Sequence, residues 1–392
     1  MGGEQGSGYN ELVSAIYPLE PETSDRLTTG LKEMNASEIL RLRLYNTGLS
    51  HSPFKSAEDV VFHLGAVQAQ DFAAAKWALG LRTENSTDED IEKAFNEGKI
   101  LRTHVMRPTW HFVVPEDIRW MLELTAPRVK ALLAHYNRKL ELDDALFAKS
   151  NAAISKALQD HTYLTRQEIK TILTRIGIET NVQRLAHIVM WAELEGLICS
   201  GPRRGKQFTY TLLEERVPKA KKLSREQALA KLALKYFTGH GPAQLKDFSW
   251  WSGLANKDAR GALDLIKSEL EQATFDDKIY YWFSAQTKVT IPNSTSVFLL
   301  SIYDEYTIAY KDRSDISEAR DIERMISMGN ALTAVIILNG KVAGTWDKTL
   351  KKSTVEIRLN TFWEFDKDEQ DALESEVARY GKFVGIHAVL VK

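Results

Sequence analysis

The chain has 392 residues, 44% of them hydrophobic and 27% charged, and its formal net charge is −2. This length predicts about two or three folding units, and the composition is ordinary for a soluble globular protein. The single cysteine, Cys199, excludes an internal disulfide framework and indicates a reducing compartment. No apolar run reaches the ~18 residues of a membrane span, and the N-terminus lacks the basic-then-apolar order of a signal peptide, so we expect a cytoplasmic protein.

The first part of the chain predicts an extension followed by a helical unit that a hairpin closes. Residues 1–35 begin with the polar stretch MGGEQGSG, and we expect them to be partly disordered or foreign to the natural chain. Helices are predicted for ASEILRLRLYNTG, SAEDVVFHLGAVQ, DFAAAKWALGL and TDEDIEKAFNEG. ILRTHVM and TWHFVV, joined by RP, predict the two strands of a hairpin.

The middle of the chain gives the clearest structural signal. LTRQEIKTILTRIGI begins with a capping box, in which Glu168 follows Thr165 by three positions. NVQRLAHIVMWAELEG then carries apolar residues at the spacing of one helical face. LICS and QFTYTLL predict two strands around the turn GPRRGK. The order helix, turn, helix and hairpin is typical of a winged helix, whose second helix suits the major groove of DNA.

The tip of this second hairpin is basic. Arg203, Arg204 and Lys206 lie in it, and they suit contacts with DNA phosphates. From Arg203 to Lys235 the chain has ten Lys or Arg residues against three acidic ones, whereas the stretch WEFDKDEQDALESE near the C-terminus is acidic. Charge runs of this kind are also typical of solvated faces without a ligand, and that interpretation stays open on charge alone.

The order of helices and hairpin recurs once more, and the chain ends in a different pattern. REQALAKLALKYF, GPAQLKDFSWW and NKDARGALDLIKSELEQ predict helices, and ATFDDKIYYWF predicts a hairpin whose acidic tip, Asp276 and Asp277, suits protein rather than phosphate. In the C-terminal part, Asn339-Gly340 between two apolar runs predicts a tight hairpin. STVEIRL and GIHAVLV predict further strands, separated by an acidic helix.

The predicted fold class is α+β, mainly α with β. It comprises three tandem winged-helix modules, at residues 36–115, 116–222 and 223–290, followed by a small α+β domain at residues 291–392.

The stretch VQAQD, at residues 67–71, places two neutral amides at the end of an apolar helical segment. On one α-helix, residues two apart do not face together, so Gln68 and Gln70 share a side only if the helix ends near Val67 and the chain becomes extended. Asp71 is well placed to cap the following helix, which favours a break there. The alternative is that both glutamines satisfy backbone groups at a helix junction.

Four stretches together resemble the winged-helix DNA-binding family that includes the AlkZ-type DNA glycosylases. They are LGAVQAQDFAAAKWAL, RTHVMRPTWHFVVPEDIRW, GHGPAQLKDFSWWSGL, and YDEYTIAYKDR with NGKVAGTW behind it. The resemblance covers about residues 37–392 and implies tandem winged helices with a β-rich C-terminal part. It implies that a Gln-apolar-Gln motif, matched here by Gln68, Ala69 and Gln70, is catalytic. It also implies substrates that are DNA bases alkylated at a ring nitrogen, including interstrand crosslinks.

Neutral amides suit such a substrate. Alkylation of a purine ring nitrogen makes the base cationic, so the base departs neutral and needs little help from a general acid. What remains is to place a water molecule and to stabilise an oxocarbenium-like sugar, which oriented dipoles can do. An amide offers one acceptor oxygen and two donor hydrogens for this purpose. We expect hydrolysis that leaves an abasic site without strand cleavage.

A second group of candidate residues lies in RPTWHFV. Arg107, Thr109 and His111 lie in the hairpin, and Thr109 and His111 are expected on one face, where they suit contacts with a DNA phosphate or with the flipped nucleotide. The alternative is a histidine that is hydrogen-bonded within its own module. In YDEYTIAYKDR, which offers Asp304, Glu305 and Arg313, we expect a structural pair of the aspartate with the arginine.

Other chemistries are not indicated. The sequence has no CxxC, HExxH or GxxxxGK[ST] motif, and no GxGxxG precedes a helix. We therefore expect neither a metal nor another cofactor. Trp250 and Trp251 of DFSWW are expected in the core.

The leading hypothesis is a monofunctional glycosylase for cationic N-alkylated purines. We expect it to act on double-stranded DNA as a monomer in the cytoplasm, associated with the nucleoid. A DNA-binding regulator without catalysis is the main alternative, because winged helices are often regulatory. A structural array for protein interactions is a third, which the basic second hairpin disfavours.

Overall fold

The computed structural model describes residues 32–51, 54–283, 295–318, 320, 321, 323 and 334–391. Most of the predicted N-terminal extension lies outside these residues. Its described end, Lys32–Glu33, forms strand β1, which pairs in parallel with a later hairpin. The protein mixes helices and sheets, as the predicted α+β class requires.

The first segment after β1 carries the predicted helices and the predicted hairpin. Its elements are α1 (Ala36–Asn46), α2 (Ala57–Leu64), β2 (Val67–Gln68), α3 (Phe72–Gly80), α4 (Asp88–Glu97), β3 (Leu101–His104) and β4 (Trp110–Val113). The three strands form one antiparallel sheet in the order β2-β4-β3. Strand β2 therefore lies beside the second strand of the hairpin.

Two helices that the sequence patterns did not assign follow the first hairpin. They are α5 (Pro115–Lys139) and α6 (Asp144–Ala157). The next elements match the prediction: β5 (Leu164–Thr165), α7 (Arg166–Arg175), α8 (Val182–Leu194), β6 (Ile198–Ser200), β7 (Thr209–Leu212) and the short α9 (Leu213–Arg216). The capping box of Thr165 and Glu168 is confirmed at the start of α7. The sheet order is β5-β7-β6.

The third segment begins at a capping box formed by Ser224 and Gln227. It contains α10 (Arg225–Gly239), α11 (Leu245–Ser252), α12 (Asn256–Ile266), a short 3-10 helix (Lys267–Glu269), β8 (Leu270–Phe275) and β9 (Lys278–Phe283). The prediction that the last helix continues to Gln272 is wrong. Leu270 already pairs with Phe283 across the hairpin, so strand pairing replaces the final helical turn.

The C-terminal part is a five-stranded sheet with one long helix against it. Its elements are β10 (Val297–Leu300), α13 (Glu305–Ile308), β11 (Val335–Leu338), β12 (Lys341–Leu350), β13 (Thr354–Thr361), α14 (Lys367–Val384) and β14 (His387–Val391). The strands lie in sequence order, and only β13 and β14 pair in parallel. Asn339 and Gly340 form the predicted tight turn, both with positive φ.

The buried clusters tie distant parts of the chain together. One cluster joins residues of α1–α4 and β4 to the C-terminal sheet and α14, and the indole N–H of Trp77 donates to the carbonyl of Leu299 at 2.7 Å. A second cluster joins the first hairpin, α5 and the third segment. A third lies wholly between Leu142 and Tyr210. The first segment, residues 36–113, is thus packed from two sides. The second segment, residues 115–216, has in addition a core of its own.

Candidate active site

The VQAQD stretch leaves the helical conformation before its first glutamine. Strand β2 places Gln68 opposite His111 of β4. Val67 and Ala69 are buried. Gln68 is half-buried and Gln70 is exposed. Because side chains of an extended chain alternate between two sides, both amides lie opposite the two buried residues. The predicted break of the helix is therefore present.

Hydrogen bonds fix the backbone of this junction. The N–H of Ala69 donates to the carbonyl of Trp110 at 2.7 Å, which extends the pairing beyond β2. The guanidinium of Arg102 donates to the carbonyls of Ala69 at 2.9 Å and Gln70 at 3.4 Å. Oδ1 of Asp71 accepts the N–H of Ala74 in the first turn of α3 at 2.9 Å, which confirms the predicted cap. The two glutamines are thus held at a rigid strand-to-helix turn.

The two side-chain amides differ in how they are used. Oε1 of Gln70 accepts the backbone N–H of Trp110 at 3.4 Å, a long bond. The amide of Gln68 makes no hydrogen bond with any residue that the structure describes. The alternative, that both glutamines satisfy backbone groups, therefore has only weak support at Gln70. It has no support at Gln68, whose side chain binds none of the described residues.

A buried carboxylate lies directly behind Gln68. Oε1 of Glu305 accepts the backbone N–H of Gln68 at 2.8 Å, and Oε2 accepts the indole N–H of Trp251 at 3.0 Å. His240 Nε2 lies 3.5 Å from the same Oε2. Burial acts to raise the pKa of Glu305, but His240, followed by the N–H of Gln68, outweighs burial and holds that pKa below its ordinary value. The site therefore contains a buried negative charge.

The neighbouring Asp304 explains why Glu305 is held in place. Arg82 donates to both carboxylate oxygens of Asp304, at 2.9 and 2.8 Å, and both side chains are buried. The expected pair of Asp304 with Arg313 within YDEYTIAYKDR is therefore wrong, because Asp304 pairs with Arg82, which follows α3. The pair anchors the start of α13 to the helix that follows the two glutamines.

The hairpin candidates Arg107, Thr109 and His111 are brought together beside β2. His111 is fully buried, its Nδ1 lies 2.9 Å from the carbonyl of Thr109, and its Nε2 lies 3.4 Å from Arg107 Nη2. Burial lowers the pKa of His111 well below its ordinary value, and the positive charge of Arg107 lowers it further. Because Arg107 can only donate, we infer a neutral ring with its proton on Nδ1.

Three polar atoms of this hairpin are buried and have no hydrogen-bond partner among the described residues. They are Oγ1 of Thr103, Nε of Arg107 and Oγ1 of Thr109. Burial also lowers the pKa of Arg107, while the charge of Glu305 opposes that effect. Buried unpaired donors are costly, so they mark a place where a ligand would supply the missing partner.

A glycine contact holds the turn of this hairpin against the third segment. Gly253 ends α11 with a φ of +67°, and a Cβ there would lie 2.3 Å from the carbonyl oxygen of Met106. Met106 itself has a φ of +64°. The close approach therefore requires glycine, and it fixes Arg107 next to α11. Of the two tryptophans predicted in the core, Trp251 is buried but Trp250 is 46% exposed, so the prediction is wrong for Trp250.

The basic hairpin tip is partly occupied by contacts within the protein. Arg203 Nη1 lies 3.1 and 3.2 Å from the carboxylate oxygens of Glu92, and Arg204 Nη1 donates to Glu168 at 2.8 Å. Lys206 is exposed, and its ammonium makes no ion pair with the described residues. The three cations that the sequence grouped together therefore differ in how freely they can meet an anion.

Neither a metal centre nor a membrane span is found in the described part of the chain. Within the ranges given above, no group of three or more His, Cys, Asp or Glu residues is arranged to hold a metal ion. Over the same ranges, no helix combines the length and the apolar character needed to cross a bilayer.

Paired neutral amides at a strand-to-helix turn, backed by a buried carboxylate in an α+β chain, fit the class of DNA base-excising hydrolases. The chain belongs to the AlkZ-like DNA glycosylase family, whose model matches residues 61–383. It is 22% identical over 368 residues to an interstrand DNA cross-link repair glycosylase of Streptomyces sahachiroi, covering 91% of this chain and 98% of that one. The solved structure of Streptomyces sahachiroi DNA glycosylase AlkZ matches with a TM-score of 0.75 and 20% identity, over 92% of this chain and all of that one.

Two neighbours of the glutamines were not identified from the sequence as part of the site. Glu305 was noted only as a member of YDEYTIAYKDR, and its contact joins positions 237 residues apart. Arg102 lies in the quoted stretch RTHVMRPTWHFVVPEDIRW, but nothing in that stretch indicates that it binds the carbonyl of Ala69. For both residues, the sequence pointed to the stretch that contains them but did not single out the residue itself.

Proposed function

We propose that this protein is a monofunctional DNA glycosylase that hydrolyses the N-glycosidic bond of cationic N-alkylated purines, interstrand crosslinks included. Membership of the AlkZ-like DNA glycosylase family supports the reaction class. The name of the Streptomyces sahachiroi relative supports crosslinks as substrates. The observation that carries the proposal is the amide of Gln68, which has no hydrogen-bond partner among the described residues and lies at a rigid turn beside the buried carboxylate of Glu305.

The proposed reaction needs no acid to protonate the leaving base. The bond from C1′ of the sugar to the base breaks, and the cationic base takes the electron pair and departs neutral. A water oxygen then bonds to C1′, and its surplus proton passes to solvent. The products are a free alkylated purine and an abasic site, with both DNA strands intact.

Gln68 and Gln70 are proposed to position the water and the sugar. An amide oxygen accepts a hydrogen of the water, and an amide N–H donates to the sugar or to its phosphate. Since the backbone of both residues is fixed by β4, Arg102 and Glu305, these dipoles need no reorganisation as charge develops. This preorganisation is what neutral groups can contribute to a reaction whose leaving group is already activated.

Glu305 is proposed to add an electrostatic preference for positive charge. Its carboxylate is buried, so water screens it little. The carboxylate is almost fully buried and its oxygens face Gln68, Trp251 and His240, so it is proposed not to attack a substrate as a nucleophile. Its role is therefore to hold Gln68 and to favour an oxocarbenium-like sugar and a cationic base through space.

The DNA path is proposed to follow three tandem winged-helix modules at residues 36–115, 116–222 and 223–290, with the domain at residues 291–392 packed behind the first. The first two proposed modules each contain a three-stranded sheet made by a hairpin and a short extra strand, and in the third a bridge from Ala243 joins the hairpin, which supports the assignment. The residues proposed to contact double-stranded DNA are Arg107, Thr109, His111, Arg203, Arg204 and Lys206. We propose that the protein acts as a monomer in the cytoplasm, associated with the nucleoid.

The test is release of a free base from a defined duplex. A duplex carrying one N7-methylguanine is incubated with excess protein, and free N7-methylguanine is measured over time. The wild type should release the base and leave an abasic site, and the Gln68→Ala/Gln70→Ala double variant should retain DNA binding while losing most of the rate. A wild type that binds DNA but releases no cationic purine would support a non-catalytic DNA-binding protein instead.

A further inference from the structure

A concave cavity of about 560 Å³ opens between the first hairpin and the second segment. Its walls come from β3 and β4 on one side and from α7, α8 and β7 on the other. The volume lies within the range of about 300–1,000 Å³ that is typical of sites for small organic groups. Gln68 and Gln70 do not line the cavity. Trp110 does, and its backbone N–H donates to Oε1 of Gln70.

The mouth of the cavity is strongly basic. Arg166, Lys170 and Lys206 line it, and among the described lining residues there is no Asp or Glu. None of these three side chains makes an ion pair or a hydrogen bond with the residues that the structure describes. Helices α7 and α8 also begin here, with Thr165 and Asn181 as their caps, so the positive ends of both helix dipoles face the cavity.

A fourth cation lies buried in the wall. The guanidinium of Arg102 rests over the ring of Trp110 at 4.2 Å and over that of Phe208 at 4.5 Å, and its hydrogen bonds to described residues go to the carbonyls of Ala69 and Gln70. No described carboxylate lies within ion-pair distance of it, and burial lowers its pKa to about 10. A buried cation without an ionic partner is costly, and an anion in the cavity would offset that cost.

The interior of the cavity is apolar. Leu185 and Tyr210 are buried in its floor, and the partly buried Phe208 and Trp110 lie beside them. A phosphate backbone alone would need only a basic ridge. An apolar floor beneath basic residues instead matches a ligand with a flat apolar part and an anionic part, which describes a nucleotide.

We infer that this cavity binds one nucleotide that has left the DNA double helix, with its base against the apolar floor and its phosphates on Arg166, Lys170 and Lys206. A base that remains stacked in a duplex cannot reach a recessed floor, so the nucleotide must be unpaired. The inference rests on the proposed function in one respect, namely that the ligand is DNA. It assigns a specific role to Arg166 and Lys170, and it places the unpaired nucleotide beside Gln70.

The experiment compares two undamaged duplexes of the same sequence, one fully paired and one with a single unpaired adenosine. Wild-type protein should bind the duplex with the unpaired nucleotide about tenfold more tightly, since packing one base on an aromatic or apolar surface is worth about 1–3 kcal/mol. Equal affinity of the wild type for both duplexes would overturn the inference without any variant.

Val182→Trp tests the mouth of the cavity. Val182 is 84% exposed and lies at the start of α8, so a larger side chain adds bulk there without disturbing the core or the charge. The preference for the unpaired nucleotide should fall below about twofold, while affinity for the paired duplex stays within about twofold. Leu132→Trp, at an exposed position of α5 outside the cavity, is the control that should keep the preference. An unchanged preference in Val182→Trp, or an equal loss on both duplexes, would show that no unpaired base enters.

Lys170→Ala tests the rim against the exposed Lys156→Ala, which lies outside the cavity. The first variant should flatten the plot of log affinity against log salt for the unpaired duplex by about 0.9, and the second should leave it as it is. Identical slopes for both variants would contradict a phosphate at this rim. Because these duplexes carry no damaged base, failure of the glycosylase proposal in the base-release assay leaves these results unaffected, and the two proposals are separable.

Discussion

Glutamine occurs at two comparable junctions, residues 67–71 before α3 and residues 243–244 before α11. At both, a short extended segment pairs with the second strand of a hairpin: β2 pairs with β4, and Ala243 bridges to Tyr281 of β9. Gln244 is itself the N-cap of α11, it is buried, and its amide lies 3.4 Å from the hydroxyl of Tyr280. Its side chain is used within the protein.

The first junction is longer, and this changes what its glutamines can do. Ala69 and Gln70 stand between the strand and Asp71, so a carboxylate caps α3, whereas Gln244 itself holds the N-cap position of α11. The side chain of Gln68 has no hydrogen-bond partner within the described ranges, because Glu305 and β4 bind only its backbone. The comparison teaches that a glutamine at a strand-to-helix turn is structural when it is the cap and available for chemistry when another residue takes that task.

The largest expected effect separates the two junctions directly. Gln68→Ala or Gln70→Ala should lower single-turnover release of N7-methylguanine by about 10–1000-fold, because each removes one preorganised polar group. Affinity for DNA should stay within a few-fold. The double variant should lose less than the product of the two single losses if both amides hold one water.

Gln244→Ala is the matched control. It should cost about 1 kcal/mol of unfolding free energy, as loss of a buried hydrogen bond does, and leave base release within about twofold. If Gln244→Ala slowed release as much as Gln68→Ala, the distinction between the two junctions would fail. Full activity of the Gln68→Ala/Gln70→Ala variant would likewise end the proposed role of the motif.

Glu305→Gln should give the next largest effect. The change removes the buried charge and gives Gln68 N–H and Trp251 N–H only one acceptor oxygen between them, so release should fall by about 10–100-fold. Unfolding free energy should fall by about 1–3 kcal/mol. Glu376→Gln makes the same substitution at a buried carboxylate of α14, and base release, measured well below both melting temperatures, should not change. Equal loss of activity in both variants would mean that Glu305 matters only for stability.

The contact between the first and third segments should show itself in the pH dependence of stability. Burial, with the charges of His240 and Lys235, lowers the pKa of His63 to about 4, although its hydrogen bond to the carbonyl of Asn46 opposes this. The unfolded chain binds a proton near pH 6.5 and the folded chain does not. The contribution of neutral His63 to the free energy of unfolding is therefore fully present above about pH 6.5. It is lost as pH falls to about 4, by an amount on the order of 3 kcal/mol.

Denaturant unfolding between pH 7 and pH 4 measures this effect. His63→Gln should flatten the fall in unfolding free energy over that interval, whereas His135→Gln, at an exposed position of α5, should leave it steep. A steep fall that persists in His63→Gln would show that other groups cause it.

The smallest expected effects concern the basic hairpin tip. Lys206→Ala should flatten the dependence of log affinity on log salt by about 0.9 if one phosphate contact is lost. Arg203→Ala and Arg204→Ala should change the slope less, because Glu92 and Glu168 already neutralise these side chains. Comparable slopes for all three variants would indicate that DNA displaces both ion pairs. Gel-shift titrations at several salt concentrations provide the slopes.

Local signals in the sequence predicted the local features of the site. The end of the helix, the Asp71 cap, the hairpins and the turn at Asn339 all depend on residues a few positions apart, and capping and turn chemistry act over that range. The face shared by Gln68 and Gln70 follows from the same information. These features were predictable because neighbours along the chain cause them.

Features that join distant residues were not predictable in this way. Nothing near Gln68 indicates that Glu305 would bind its N–H, or that Arg82 would be the partner of Asp304. Trp250 and Trp251 look alike in composition, but only the position of α11 against α13 decides which one is buried. The end of α12 at Ile266 is likewise decided by pairing with β9, which overrides helix propensity.

The shared core of the first segment and the C-terminal sheet has a consequence for how the protein is made. A ribosome releases residues 40–112 long before residues 297–383, which complete their core. At about 5–20 residues per second, the wait is on the order of tens of seconds. During it, α3 lacks the partner that Trp77 binds in β10, and the turn holding Gln68 lacks Glu305. A chain cut short before residue 305 therefore keeps the pairing of Gln68 with β4 but lacks the carboxylate that accepts the Gln68 N–H, so we expect no base release from such a chain.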